Sequence, residues 1–280
     1  MIPLKKKAPT SSLIIFTDLD GTLLDHYTYS FAPAHQALKK IADAHIPLIF
    51  CSSKTRAEID VWRKKIPNHY PFVVENGGAI FFPPDWEISV TGELREKDGY
   101  HVLETGTAHP DLMVQFELFK RSLGGELTGL SEMAVEQIAR ITGLSKQNAG
   151  LAKKREYSEP FIFSGDRNDF ELLEKMVSQR NLTLTRGGRF FHLMGDNDKG
   201  KAVYLIAEIY RKHVPEVKTV ALGDSANDRS MVAMADVGIM VQKPGGGYDE
   251  TLKKLPNIVR ARGVGPAGWN QALLKLLETV

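Results

Sequence analysis

Residues 13–22, Leu-Ile-Ile-Phe-Thr-Asp-Leu-Asp-Gly-Thr, join a short apolar run to an acidic turn, and this stretch constrains the fold more than any other. An isoleucine-rich run of this length predicts a buried strand. Side chains two apart on a strand point the same way, so Asp18 and Asp20 are expected to project together from its end. Two such carboxylates repel each other, and a divalent cation commonly keeps both ionised. An isolated Asp-x-Asp-Gly sequence is equally compatible with a strand that simply ends in an acidic turn.

Apolar runs alternate with amphipathic segments on the C-terminal side of that turn. The predicted order is a helix at 34–44, a strand at 46–51, a helix at 56–66, a strand at 72–74 and a return strand at 79–82. The alternation resumes after residue 198, with a helix at 199–211 and strands at 219–222 and 237–241. Strands and helices that alternate in this way predict an α/β fold, a parallel sheet with helices on both faces.

The middle of the chain has a different pattern. Amphipathic helices are predicted at 111–123, 131–141 and 168–180, with Ser131 as the N-cap of the second. Short strands are predicted at 161–163, 182–185 and 190–193. We therefore predict two domains: a core built from residues 1–90 and 195–280, and an α+β cap inserted at 91–194.

Composition narrows the class of protein. Of the 280 residues, 42% are hydrophobic and 25% charged, as in soluble globular proteins, and a formal net charge of +2 gives no reason to expect nucleic acid as a partner. Lys5, Lys6 and Lys7 predict a solvated tail, because no signal-like apolar stretch follows them, and no segment has the ~20 apolar residues that span a membrane. Cys51 is the only cysteine, which excludes an intramolecular disulfide and favours the cytoplasm.

Polar residues that follow the predicted strands have the chemistry that phosphoryl transfer requires. The ends of strands are also where open α/β sheets bind ligands. Asp18 is a candidate nucleophile and Asp20 a candidate general acid and base. The Ser52 hydroxyl can hydrogen-bond a phosphate oxygen beside a helix start, and Lys199 can neutralise a phosphoryl group near another helix start.

A second acidic pair follows the strand at 219–222. Asp224 and Asp228 lie four residues apart and offer further oxygen ligands for a hard cation. The predicted cluster contains carboxylates and neither cysteine nor histidine, which favours Mg²⁺ over zinc.

These motifs resemble those of a known superfamily when they are taken in order. Asp-x-Asp-Gly-Thr, the strand-end serine, Asp-Lys-Gly at 198–200 and Gly-Asp-Ser-x-Asn-Asp at 223–228 resemble the haloacid dehalogenase superfamily of phosphatases. Each motif is weak alone, but the ordered set is specific. An insert between the second and third motifs resembles the type IIB branch of that superfamily. The resemblance implies a Rossmann-like core with an inserted α/β cap.

The same resemblance implies a role for each matching residue. Asp18 would form an aspartyl-phosphate, while Asp20 would protonate the leaving alkoxide and then activate the hydrolytic water. Ser52, where the family commonly has threonine, and Lys199 would bind the phosphoryl group. The groups implied as Mg²⁺ ligands are the Asp18 carboxylate, the Asp20 backbone carbonyl and Asp224, with Asp228 supporting the ion directly or through another ligand.

Four further stretches narrow the resemblance to one family within that branch. Ser-Ser-Lys-Thr-Arg at 52–56, Glu-Asn-Gly-Gly at 75–78, Arg-Glu-Tyr at 155–157 and Gly-Gly-Arg-Phe at 187–190 resemble the mannosyl-3-phosphoglycerate phosphatases. The resemblance covers nearly the whole chain beyond residue 13 and implies a small phosphorylated glycoside as substrate. The candidate substrate-binding residues are Ser53, Lys54, Glu75, Asn76, Arg155, Arg189, His192 and Asn227.

Structural roles compete with these binding roles. Asn-Gly-Gly suits a tight hairpin turn, His192 lies in an apolar strand where it can simply pack, and Arg155 and Arg189 can be solvated surface residues. If they bind substrate, the two arginines suit the glycerate carboxylate. Glu75, Asn76 and His192 suit the sugar hydroxyls.

Other functions also fit the motifs. A phosphosugar mutase can share the acid pair and the cap type, and the substrate can be another sugar phosphate or glucosyl-3-phosphoglycerate. A phosphosugar-sensing protein is the alternative without catalysis, although binding alone does not require the proton donor Asp20.

Overall fold

The computed structural model describes residues 11–86, 93–187 and 190–278. Its strands are β1 (Leu13–Thr17), β2 (Leu48–Cys51), β3 (Phe72–Val74), β4 (Ala79–Phe82), β5 (Arg95–Lys97), β6 (Tyr100–Glu104), β7 (Leu127–Gly129), β8 (Ser158–Phe163), β9 (Thr183–Gly187), β10 (Phe190–Met194), β11 (Lys218–Gly223), β12 (Val237–Gln242) and β13 (Val259–Val264). Its α-helices are α1 (His35–Asp43), α2 (Arg56–Lys65), α3 (His109–Ser122), α4 (Val135–Thr142), α5 (Lys146–Ala152), α6 (Arg167–Ser178), α7 (Lys199–Arg211), α8 (Arg229–Met234) and α9 (Gly265–Leu277). Among the helices of the described ranges, none has the length and apolar character that a membrane span requires.

A nine-stranded sheet forms the core, in the order β13-β12-β11-β1-β2-β3-β4-β6-β5. The strands from β13 to β3 are parallel, and β4, β6 and β5 extend the sheet in antiparallel pairs. All five residues of β1 are buried, and the strand lies between β11 and β2. The predicted fold class, a parallel sheet with helices on both faces, is confirmed.

The two faces of β1 belong to two separate apolar clusters. Leu13 and Ile15 pack on one side with side chains from α1, α2 and α9, while Ile14 and Phe16 pack on the other with α7 and α8. Side chains alternate across a strand, so an uninterrupted apolar run is what a strand covered on both faces requires. Because β1 is packed on both faces, its C-terminal end, where the acidic turn begins, is held in place within the core.

The inserted region forms its own small sheet. Strands β7, β8, β10 and β9 pair in that order, and every pairing is antiparallel. Leu112 and Phe116 of α3 and Leu173 and Val177 of α6 share an apolar cluster with Phe161 and Leu193 of this sheet. The prediction of a small α+β unit with an open sheet is therefore correct.

Two details of the predicted cap need correction. Strands β5 and β6 lie within the predicted cap range of 91–194 but pair with β4, so residues 95–104 extend the core sheet. The predicted start at residue 91 is therefore too early. The sequence did not predict β5 because Arg-Glu-Lys has no apolar alternation. Ser131 is not an N-cap: it lies in a 3₁₀ turn, α4 begins at Val135, and the Ser131 hydroxyl donates to Glu159 (2.8 Å).

The two chain segments that join the domains run side by side. The backbone amides of Thr105 and Gly106 donate to the carbonyl of Gly78, at 3.0 and 2.8 Å. A Cβ added to Gly195 on the returning segment would lie 2.5 Å from the Thr107 hydroxyl oxygen, so only glycine fits this approach. The connection between the domains therefore packs directly against the turn that joins β3 to β4.

Candidate active site

The end of β1 brings a buried carboxylate against a buried ammonium group. Lys199 is fully buried as the first residue of α7, and its Nζ lies 2.6 Å from Asp18 Oδ1 and 2.6 Å from Asp228 Oδ1. Asp198 caps the N-terminus of α7 by accepting hydrogen bonds from two backbone amides, which fixes where Lys199 enters the site. The predicted nucleophile and the predicted phosphoryl-binding lysine are thus in direct contact.

The carboxylates of Asp18, Asp224 and Asp228 carry more negative charge than Lys199 balances. Burial raises the pKa of Asp18 to about 7, with Asp228 adding to the rise and Lys199 opposing it. Burial, then Asp228 and Asp18, raises the pKa of Asp224 well above its usual value. Burial alone would lower the pKa of Lys199, but Asp18 and Asp228 outweigh it and the pKa rises. The site therefore favours a further positive charge.

Three carboxylates in this place suit a hard cation. Asp18, Asp224 and Asp228 each offer an oxygen, and these atoms all lie within 4.8 Å of one another. Thr22 donates to Asp224 Oδ1 (3.1 Å), which orients that side chain. Asp228 Oδ1 contacts Lys199, and its Oδ2 accepts from the backbone amides of Asp224 and Ser225 (3.0 Å each). Asp18 and Asp224 are therefore better placed than Asp228 to ligate an ion directly.

Asp20 faces a second lysine. Lys54 Nζ lies 2.7 Å from Asp20 Oδ2 and 3.6 Å from Glu58 Oε1, while Asp20 Oδ1 is buried without a hydrogen-bond partner among the described residues. Gly21 has a φ of +81°, as the predicted sharp turn requires, and an added Cβ would lie 2.8 Å from Asp224 Oδ2. The turn therefore brings Gly21 against Asp224 and leaves one carboxylate oxygen of Asp20 for another partner.

Ser52 lies at the end of β2, in a loop that a helix cap holds in place. Its hydroxyl oxygen accepts from the Lys54 backbone amide (3.2 Å), and the side chain is almost fully buried. Thr55 is the N-cap of α2 and forms a capping box with Glu58. Ser53 turns its carbonyl to the cap domain, where Arg155 Nη1 donates to it (2.8 Å).

Glu75 and Asn76 form the turn of the β3–β4 hairpin. Both have left-handed backbones, with φ of 48° and 57°, so the hairpin alternative for Asn-Gly-Gly is correct. Asn227 Nδ2 donates to Asn76 Oδ1 (3.1 Å), and Asn76 Nδ2 faces Met194 Sδ (3.7 Å). The structure therefore brings Asn76 and Asn227 together beside the site, whereas the Glu75 carboxylate is buried against the cap.

His192 lies on β10 of the cap, and one of its ring nitrogens is available for a ligand. The side chain is buried, and Nδ1 has no hydrogen-bond partner within the described ranges. Burial, helped by the charge of Arg155, lowers the pKa of His192 to about 3, so the ring is neutral. A buried polar atom without a partner is costly, which makes Nδ1 a candidate ligand contact. Arg189, the other predicted cap arginine, lies outside the described residues.

Sequence reasoning missed residues that support the site. Thr22 orients Asp224, and Glu58 joins the Lys54 pair. Trp269 Nε1 donates to Thr17 Oγ1 (3.0 Å), which in turn donates to the Asp18 carbonyl (2.7 Å). The capping box Thr55-x-x-Glu58 is a pattern that the sequence shows. The contact of Trp269 with Thr17 joins residues 252 positions apart, and no local sequence pattern predicts it.

Comparison with known proteins agrees with this architecture. The family model for haloacid dehalogenase-like hydrolases matches residues 15–246. A relative from Methanococcoides burtonii, named glucosyl-3-phosphoglycerate/mannosyl-3-phosphoglycerate phosphatase, is 45% identical over 264 residues, covering 94% of this chain and 97% of its own. A mannosyl-3-phosphoglycerate phosphatase from Pyrococcus furiosus is 36% identical over 229 residues, covering 81% and 90%.

Solved structures share the fold at low sequence identity. A phosphatase of the haloalkanoate enzyme superfamily from Bacteroides thetaiotaomicron superposes with a TM-score of 0.67 at 20% identity, over the full length of both chains. A subclass IIB sugar phosphatase of the same superfamily gives a TM-score of 0.63 at 15% identity, covering 95% of this chain and 98% of the other. The resemblance inferred from the strand-end motifs is confirmed, and the chain belongs to the haloacid dehalogenase-like hydrolases.

Proposed function

We propose that this protein is a Mg²⁺-dependent phosphomonoesterase that hydrolyses mannosyl-3-phosphoglycerate to mannosylglycerate and phosphate. The observation that carries the chemistry is the contact of buried Asp18 with Lys199 next to Asp224, at the carboxyl end of β1. The names of the relatives support the substrate, and they keep glucosyl-3-phosphoglycerate as the alternative. The cytoplasm stays the predicted compartment, with neither nucleic acid nor a membrane as a partner.

Asp18 is the group that attacks in this proposal. A carboxylate oxygen of Asp18 forms a bond to phosphorus as the bond from phosphorus to the glycerate oxygen breaks, and Asp20 gives that leaving oxygen a proton. Asp20 then removes a proton from water, which attacks the aspartyl-phosphate and releases phosphate and free Asp18. Lys199 balances the charge of the phosphoryl oxygens, and the Ser52 hydroxyl donates a hydrogen bond to one of them.

The acidic cluster fits the ion that this chemistry uses. Asp18, Asp224 and the Asp20 backbone carbonyl would hold Mg²⁺, which supplies positive charge that lets a phosphate dianion approach the carboxylates. Asp228 would hold Lys199 and the loop at 224–225, because both of its oxygens already have partners. Lys54 would orient Asp20 through their 2.7 Å ion pair.

The experiment that tests this proposal is a phosphate-release screen over phosphorylated sugars and glycosyl-phosphoglycerates. We expect kcat/KM for mannosyl-3-phosphoglycerate to exceed that for hexose 6-phosphates by at least about tenfold, the equivalent of one well-formed polar contact. Release without a sugar bisphosphate activator would exclude a mutase. Equal kcat/KM for mannosyl-3-phosphoglycerate and hexose 6-phosphates would refute the proposed substrate. Binding of phosphate esters without turnover of any of them would favour the sensing alternative.

Replacement of His192 should change substrate preference. His192→Phe keeps a ring of similar size but removes Nδ1, so a hydroxyl or carboxylate of the glycoside loses its partner. The ratio of kcat/KM for the glycoside to that for p-nitrophenyl phosphate should fall about tenfold. His192→Asn, which can return a polar atom near the position of Nδ1, should recover part of that ratio. An unchanged ratio in His192→Phe would show that the histidine only packs.

A further inference from the structure

The Glu75 carboxylate joins the two domains instead of facing open space. Glu75 is fully buried in the turn between β3 and β4 of the core. Its Oε1 accepts the Glu156 backbone amide (2.9 Å), and its Oε2 accepts the Tyr157 backbone amide (3.1 Å) and the Ser158 hydroxyl (2.6 Å). All three donors belong to the inserted region, about eighty residues further along the chain. A carboxylate with three donors has its hydrogen-bonding needs met within the protein.

The turn is shaped for this contact. Glutamate is uncommon at a φ of 48°, where asparagine and glycine are preferred, so a backbone requirement alone does not explain Glu75. A Cβ added to Gly78 in the same turn would lie 2.4 Å from Tyr157 Cβ, which shows how closely the cap approaches. Burial raises the pKa of Glu75, although Arg155 and the three hydrogen bonds oppose the rise.

The same cap segment makes other contacts with the core. Tyr157 is buried in the apolar cluster of the core, and its hydroxyl donates to Glu104 Oε1 (2.8 Å). Glu156 pairs with Arg56 (3.3 Å) and Lys97 (2.5 Å). Arg155 donates to the carbonyl of Ser53, which lies between Ser52 and Lys54 in the loop that joins β2 to α2. The segment is thus tied to the loop that would bind the phosphoryl group.

The segment also sets the position of the cap sheet. Ser158 is the first residue of β8, and β8 pairs with β10 so that Pro160 lies opposite His192. A shift of the Glu156 and Tyr157 amides would therefore move β8, and His192 with it, relative to Asp18. The hydrogen bonds of Glu75 fix both amides at the point where the cap strand begins.

We propose that Glu75 is a positioning residue for substrate preference, whose carboxylate anchors the start of β8 and so keeps Arg155 against the Ser53 carbonyl and His192 in its place opposite Pro160. This assignment replaces the predicted contact of Glu75 with sugar hydroxyls. It rests on the proposed function for the identity of the glycoside, but the anchor itself does not depend on the substrate.

The test is Glu75→Gln, compared with Glu96→Gln, which removes the same charge from an exposed side chain on β5 of the same sheet. The amide NH₂ of glutamine would face one of the backbone donors, so at least one hydrogen bond is lost. We expect the exchange of deuterium into the Glu156 and Tyr157 amides to accelerate about tenfold, and the ratio of kcat/KM for mannosyl-3-phosphoglycerate to that for p-nitrophenyl phosphate to fall about tenfold, mainly through KM. Glu96→Gln should change neither quantity.

Ser158→Ala provides a milder test if Glu75→Gln does not fold, because it removes one donor and leaves the carboxylate in place. It should accelerate amide exchange and lower the same ratio, both by less than Glu75→Gln. Unchanged exchange with a lower ratio would overturn the anchor and restore direct substrate contact by Glu75. An equal fall in kcat/KM for mannosyl-3-phosphoglycerate and for p-nitrophenyl phosphate would show that Glu75 only stabilises the fold. Failure of the wild type to hydrolyse the glycoside would refute the proposed substrate, while the exchange measurement would still decide the anchor.

Discussion

Asp18→Asn is expected to lower kcat by at least about 10³-fold, because the carboxamide keeps the size of the side chain but cannot attack phosphorus. The fold should survive, since β1 stays buried and Lys199 keeps its 2.6 Å contact with Asp228. Steady-state phosphate release and the midpoint of thermal unfolding measure the two expectations.

The matched control for this variant is Asp43→Asn, which makes the same chemical change on an exposed side chain of α1. It should leave kcat unchanged. Retention of about a tenth of wild-type kcat by Asp18→Asn would show that another group is the nucleophile.

Removal of divalent cations should abolish turnover. Asp18 and Asp224 have raised pKa values because burial and neighbouring carboxylates disfavour their charges, and a phosphate dianion would add to that repulsion. We expect excess chelator to stop phosphate release and Mg²⁺ to restore it. Calcium should bind but support turnover poorly, because its larger coordination shell misplaces the attacking carboxylate.

Binding of the ion can be measured apart from activity. A cation that binds the folded state raises the midpoint of thermal unfolding in proportion to the logarithm of its concentration. Asp224→Asn should reduce that shift, whereas Asp43→Asn should leave it intact. Full activity in excess chelator, with no metal found in the protein, would contradict the metal assignment.

The core of the site could be predicted from sequence because its signals are local. A strand buried on both faces, such as β1, requires a continuous apolar run, and the polar residues that follow such strands meet at one edge of the sheet. Asp18, Ser52 and Asp224 each follow a strand, so the order of strands in the sequence already predicts that they lie at the same edge of the sheet. Polar or mixed elements such as β5 and β13 were not predicted, because Arg-Glu-Lys and Val-Arg-Ala-Arg-Gly-Val have no continuous apolar run.

The contacts between the cap and the core were harder to predict, because a polar residue near the site has two possible neighbours, the substrate and the other domain. Glu75 lies in a motif next to the site, which suggested sugar binding, yet its partners are the amides of Glu156 and Tyr157. Arg155 was a candidate to clamp a carboxylate or to be solvated at the surface; its Nη1 donates to the Ser53 carbonyl, and the carboxylate contact stays a prediction. No local pattern distinguishes a side chain that binds a ligand from one that binds a distant segment.

The most direct test of covalent catalysis is to trap the phosphoryl group on the protein. Asp20→Asn should still be phosphorylated by p-nitrophenyl phosphate, because that leaving group needs no proton, but it lacks the base that activates water. With labelled substrate, the phosphoryl-enzyme should therefore accumulate, and peptide mapping after an acid quench should find the label on Asp18. Label on a peptide without Asp18, or steady phosphate release by the wild type with no phosphoryl-enzyme in Asp20→Asn, would contradict the proposed mechanism.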